Sequence, residues 1–247
     1  MAILLERKKL LVLIAMILPI VIIAFANVFL SPQFLREEYV GGKYDCRIGI
    51  TGKDQRGFEE GALFYVKNGV EHQGYFNSYL RTALDWIRAN TSENTIVLNW
   101  WDYGHMIVGY AERDSVIKNP SQEALISVKN PSGFQELDPH PMIVDVAKAL
   151  TTINVSETLV AMNKYNATYI MVTVDDGKTK PYWIFHFAGL NFTDYLNASW
   201  QDTGLPFDPN QYNTLGKETI MYKILVNSQI QGLIQVYSDQ NVRIYKR

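Results

Sequence analysis

"TIVLNWWDYGHMIVGYAE", residues 95–112, changes character twice within eighteen residues. Thr95–Trp101 is a short apolar run rich in β-formers, which reads as a buried strand. Asp102-Tyr103-Gly104 breaks it, and His105–Glu112 reads as a short helix. Two adjacent tryptophans and an acid therefore stand at a strand end. An indole N–H only donates, an ionised carboxylate only accepts, and a hydroxyl does both. Trp100, Trp101 and Asp102 converging on one point would saturate one hydroxyl, with Gly104 permitting the sharp bend. Such a pocket selects serine or threonine, and rejects a residue without the hydroxyl because its own polar groups would be stranded. The packing alternative puts one of Trp100 and Trp101 inward and rests the other on the surface, with Asp102 capping the next helix.

The flanking pattern predicts a mixed α+β domain over 79–247. "YLRTALDWIRAN", 79–90, places Leu80, Ala83, Leu84 and Ile87 on one helical face. Residues 131–141 read as a loop and 142–150 as a helix. Ser156 is the expected N-cap of a helix through 158–165. "TYIMVTV", 168–174, reads as a second apolar strand. The stretch 175–190 reads as a polar turn followed by an aromatic, helical segment, and 191–216 as loop. The alternation in 218–226 and 232–247 predicts strands closing the sheet antiparallel. Residues 31–78 are glycine-rich and read as a juxtamembrane connector with a hairpin.

Composition narrows the function classes. Hydrophobic residues make up 47% of the 247 and charged residues 19%, enough for a packed core. A net charge of −2 gives no case for nucleic acid. The single cysteine, Cys46, excludes an intramolecular disulfide framework. Residues 10–30 are apolar except for Asn27 and, at about 1.5 Å per residue, span roughly 30 Å, a bilayer core. Residues 1–9 carry Arg7, Lys8 and Lys9 and are expected to stay in the cytoplasm. The expectation is a single-pass membrane protein with its domain outside the cytoplasm. A cleaved signal peptide is the alternative, since Ala24-Phe25-Ala26 fits a cleavage site. The triplets at Asn90, Asn154, Asn166, Asn191 and Asn197 have the N-x-S/T form, compatible with that address.

Trp100-Trp101-Asp102-Tyr103-Gly104 matches the WWDYG signature of the oligosaccharyltransferase catalytic subunit, and the archaeal form is the most similar in style. The resemblance extends over about 79–247, that family's extracytoplasmic C-terminal domain, and residues 10–30 resemble its last membrane helix. It implies transfer of a lipid-linked oligosaccharide to Asn of N-x-S/T, with Trp100, Trp101 and Asp102 holding the +2 hydroxyl and Tyr103 and Gly104 supporting them. The family's second motif, D-x-x-K-x-x-x-M/I, has a partial counterpart in "DDGKTKPYWI", 175–184. Asp176, Lys180 and Ile184 fit with one inserted residue, and Asp175 with Lys178 is the other register. In the favoured one, Ile184 offers an apolar wall to a threonine methyl while Asp176 and Lys180 brace the pocket. The family's divalent metal, Mg or Mn, and its lipid donor belong to earlier membrane segments. No D-x-D cluster occurs in this chain, so it is expected to bind no cofactor and to be inactive by itself. The expected partners are acceptor polypeptides, the membrane and, through the membrane half, the lipid-linked oligosaccharide.

Two rival classes remain. An exported metal hydrolase would use His72, His105, His140 and His186, but no pair has helical ligand spacing. A membrane-anchored carbohydrate-binding module would use the aromatic residues, 13% of the chain, as stacking platforms.

Overall fold

A computed structural model describes residues 34–118, 125–129, 135–139, 141–197 and 207–247. The apolar span 10–30, His140 and most of the Asn197 triplet lie outside them. Among the described residues no helix is long and apolar enough to cross a membrane.

Hydrophobic alternation begins earlier than expected. β1 (Arg36–Gly41), β2 (Cys46–Lys53), β3 (Glu59–Lys67) and β4 (Val70–Asn77) form a four-stranded antiparallel meander in the order β1-β2-β3-β4. This corrects the reading of 31–78 as a connector. Cys46, Ile48, Ile50, Leu63, Tyr65 and Phe76 turn one face inward and join the main core. Glycines at 49, 52, 61 and 74 dilute that period-two signal, yet close packing uses those at 49, 61 and 74. A Cβ on Gly74 would meet the His105 ring as closely as 2.6 Å, so the missing side chain lets the sheet lie directly on the helix after the tryptophans.

A 3₁₀ turn leads into α1 (Arg81–Asn90), which buries Ala83, Leu84 and Ile87 as its periodicity predicts. β5 (Ile96–Leu98) ends in a 3₁₀ turn over 101–103 and then α2 (Gly104–Gly109). β6 (Asp114–Ser115) follows. β7 (Leu125–Lys129) and β8 (Gln135–Pro139) pair as an antiparallel hairpin, so a strand stands where a loop was expected. α3 (Pro141–Thr151) and α4 (Val155–Lys164) come next. The N-cap of α4 is Asn154, not Ser156: its side chain accepts from the Ser156 N–H at 3.1 Å. β9 (Tyr169–Thr173) is wholly buried and leads into α5 (Val174–Lys178) and α6 (Pro181–Phe187).

After 3₁₀ turns near 192 and 209 and a short α7 (Thr214–Lys217), residues 220–225 form α8 (Ile220–Leu225), where a strand was expected. Ile220, Met221, Ile224 and Leu225 are all buried, a stripe spaced by three and four residues that alternation cannot make. Thr219 caps this helix by accepting from the Tyr222 N–H. β10 (Ile234–Ser238) and β11 (Val242–Lys246) close the second sheet, whose order is β10-β11-β9-β5-β6. β11 runs antiparallel to β9, as expected, while β6, β5 and β9 are parallel. Among the described residues the architecture is mixed α+β.

Candidate functional site

Parallel pairing of β5 with β9 decides where the chemistry lies. Val97 pairs with Tyr169 and Leu98 with Ile170, so both strands end at the same edge. The first motif follows β5 and the second follows β9. In open sheets with parallel strands, ligand crevices form beyond the carboxyl ends. Two sequence segments about 75 residues apart thereby face one another. Buried Asn99 pins the β5 exit: its amide donates to the Trp100 carbonyl at 2.7 Å and accepts from the Ser115 hydroxyl at 2.7 Å.

Asp102 and Lys180 form an ion pair at 3.0 Å. The Asp102 side chain is 33% exposed, although its Oδ2 is buried. That oxygen faces the Lys180 ammonium outside hydrogen-bond alignment, so the ion pair describes the contact better than a hydrogen bond does. The exposure belongs to the rest of the carboxylate. Behind it, Lys180 Nζ donates to the Tyr103 hydroxyl at 3.0 Å and lies 4.5 Å above its ring. The hydroxyl donates to Asp176 Oδ1 at 2.9 Å and sits 2.6 Å from Thr173 Oγ1. Asp176 Oδ2 accepts from the Thr173 N–H at 2.8 Å, closing a capping box at the start of α5. Burial foremost raises the Asp176 carboxyl to about 7, against the opposing pull of Lys180. Asp176 and Lys180 are thus the pair that meets the first motif, whereas Asp175 pairs with Arg56 at 2.9 Å.

Burial and backbone geometry bear on four readings of the two motifs. Trp100 is 1% exposed, so its ring belongs to the core, whereas Trp101 is half-buried. Trp100 stacks on half-buried Trp101 at 4.5 Å, and Trp101 packs edge-on against Phe187 at 5.1 Å. Asp102 does not cap a helix, because neither the 3₁₀ turn nor α2 has a side-chain cap bond. Gly104 has ordinary helical angles; its Cβ position lies 2.0 Å from the Ile117 carbonyl oxygen, so close backbone packing, not a sharp turn, demands glycine. Ile184 is fully buried in α6 and is no open wall.

The groups that sequence reasoning missed belong to the first sheet. A cleft of about 310 Å³ is lined by Asp102, Tyr103 and Lys180 on one side and by Asp54, Arg56, Tyr75, Asn77 and Tyr79 on the other. The alternating core residues of β2 to β4 were the available signal for that second wall. Among the described residues no cluster of three His, Cys, Asp or Glu could hold a metal. His72 and His105 instead surround Tyr65, whose hydroxyl lies 2.9 Å from His105 Nδ1. Burial, reinforced by His72, lowers His105 to about 4.

Over 199 residues, 80% of this chain, the sequence is 48% identical to dolichyl-phosphooligosaccharide-protein glycotransferase 2 of Pyrococcus furiosus. The chain belongs with the archaeal and eukaryotic oligosaccharyltransferases. It spans about a quarter of that relative's length, 24%. The oligosaccharyltransferase subunit stt3 of Schizosaccharomyces pombe is 37% identical over 60 residues, 24% of this chain and 6% of the yeast protein. The crystal structure of the C-terminal globular domain of an Archaeoglobus fulgidus oligosaccharyltransferase aligns with a TM-score of 0.48 at 19% identity, covering 69% of this chain and 97% of that one. No family model matches the chain.

Proposed function

We propose that the site beyond β5 and β9 recognises the Ser or Thr hydroxyl at +2 of N-x-S/T acceptors for oligosaccharide transfer. The observation that carries this reading is the partly exposed Asp102 carboxylate, oriented by Lys180 at the edge of the cleft. The carboxylate accepts the hydroxyl proton. Trp101 is the indole near enough to the surface to donate, and Trp100 backs it. Tyr103 and Asp176 hold Lys180 from behind, and Gly104 lets the 117–118 segment close against α2. Transfer itself, the lipid-linked oligosaccharide and a membrane location outside the cytoplasm extend this proposal to the whole family protein. The Mg or Mn that the resemblance implies finds no fitting ligand set among the described residues.

The test is a titration of this chain with a sequon peptide and its +2 alanine twin. A charge-assisted hydrogen bond contributes about 1.5–3 kcal/mol, so the alanine peptide should bind about 10- to 100-fold more weakly. Equal affinities overturn the reading. A carbohydrate-binding function is favoured by one observation: Tyr182 and Trp183 on α6 are 40% and 47% exposed. A free-glycan arm in the same titration separates the two.

A further inference from the structure

We infer that the wall of the cleft opposite Asp102 binds the acceptor backbone flanking the hydroxyl residue, an inference that rests on the proposed hydroxyl site. The loop between β2 and β3 and the end of β4 build this wall, and they are fastened to the second motif. Arg56 grips Asp175 through two bonds of 2.9 and 3.1 Å and Asp54 through bonds of 3.0 and 3.2 Å, while its guanidinium lies 4.5 Å from the Tyr79 ring. Asn77 donates to Asp54 Oδ2 and to the Tyr75 hydroxyl, both at 3.0 Å. Burial alone would raise the Asp54 carboxyl, but the bonds from Asn77, the Phe58 N–H and Arg56 outweigh it and hold the group below its ordinary value.

Charge and hydrogen-bonding capacity decide the ligand class. The acids Asp54, Asp102 and Asp175 are matched around the cleft by the bases Arg56, Lys178 and Lys180, so the cleft offers no strong field for a free anion or cation. What it presents is neutral and polar. Gln55 stands exposed at the loop tip with no hydrogen bond to another described residue, and Tyr75 is 47% exposed. An amide both donates and accepts, which is what an extended peptide backbone requires from a neighbour. The same cleft holds Asp102, so a chain whose hydroxyl meets that carboxylate reaches the opposite wall with its next residues, at about 3.3–3.6 Å per residue.

The experiment uses this whole chain and amidated N-x-T peptides, either minimal or extended by three residues on one side or the other. One extension should tighten binding about tenfold, the worth of one or two net hydrogen bonds. That gain should vanish in Gln55→Ala and fall in Tyr75→Phe, while discrimination against the +2 alanine peptide persists in both. Unchanged thermal melting of Gln55→Ala guards against a fold defect, since that side chain is exposed. The inference is overturned if neither extension tightens binding, if the gain survives both substitutions, or if free glycans compete for the Gln55-dependent gain. Loss of alanine discrimination with the extension gain intact would instead overturn the hydroxyl reading and leave the backbone groove standing.

Discussion

The two walls of the cleft are made by different kinds of sequence. Beyond β5 and β9, a few chemically unusual residues stand close together: two indoles, three acids and two lysines within short runs. Opposite them, the β1–β4 sheet is built from glycine-rich alternation in which no single residue stands out. Yet Arg56 ties the second wall to Asp175 as firmly as Lys180 ties the first motif to the second. A site can thus have one wall specified by side-chain chemistry and another specified by backbone geometry.

The largest expected effect tests whether Ile184 belongs to framework or to ligand contact. Ile184→Ala removes a fully buried side chain from α6 and should cost about 2–5 kcal/mol of unfolding free energy in urea titration. The serine-to-threonine preference in peptide binding should stay where it was. A changed preference with little loss of stability would return Ile184 to the ligand-facing side.

Gly104→Ala follows at about 3 kcal/mol, because its Cβ would sit 2.0 Å from a backbone oxygen that cannot swing away. Unchanged melting would mean that the 117–118 segment moves freely. Asp102→Asn should leave melting intact and reduce selection of the +2 hydroxyl about 10- to 100-fold, the loss of one charge-assisted bond. If selection survives in a folded Asp102→Asn protein, the first wall is packing rather than recognition.

The smallest effect is a pair of opposite pH trends at two buried groups near the first motif. Asp176 is raised to about 7 in the folded chain, foremost by burial, so its contribution to stability is present at low pH and lost as pH rises through 7. Asp176→Asn should therefore gain on the parent protein by about 1–2 kcal/mol between pH 5 and pH 8. His105, lowered to about 4, has the opposite sign: its contribution is lost as pH falls from about 6.5 towards 4. His105→Gln should gain on the parent over that lower range. Parallel pH trends for both variants, followed by equilibrium unfolding, would contradict the two assignments.

Much of this organisation follows from local sequence. The helix over 81–90 follows from its periodicity, the buried strands at 96–98 and 169–173 from their short apolar runs, and strand structure within 232–247 from alternation. The rarity of adjacent tryptophans beside an acid singles out the first motif, and the acids and lysines of 175–180 point to the second without fixing its register. Tertiary structure decided the rest. Whether 220–225 alternates or coils depends on which neighbours bury it, and here a helix lets four apolar side chains face the core together. Only the parallel pairing of β5 with β9 brings the two motifs to one edge. Trp100 went inward and Asp102 outward because the 3₁₀ turn after β5 sets their directions. Arg56 became part of the cleft because its partner, Asp175, lies 119 residues away along the chain. Local composition reports periodicity and chemical rarity. Contacts between distant segments depend on how whole elements pack, and no short window of sequence carries that information.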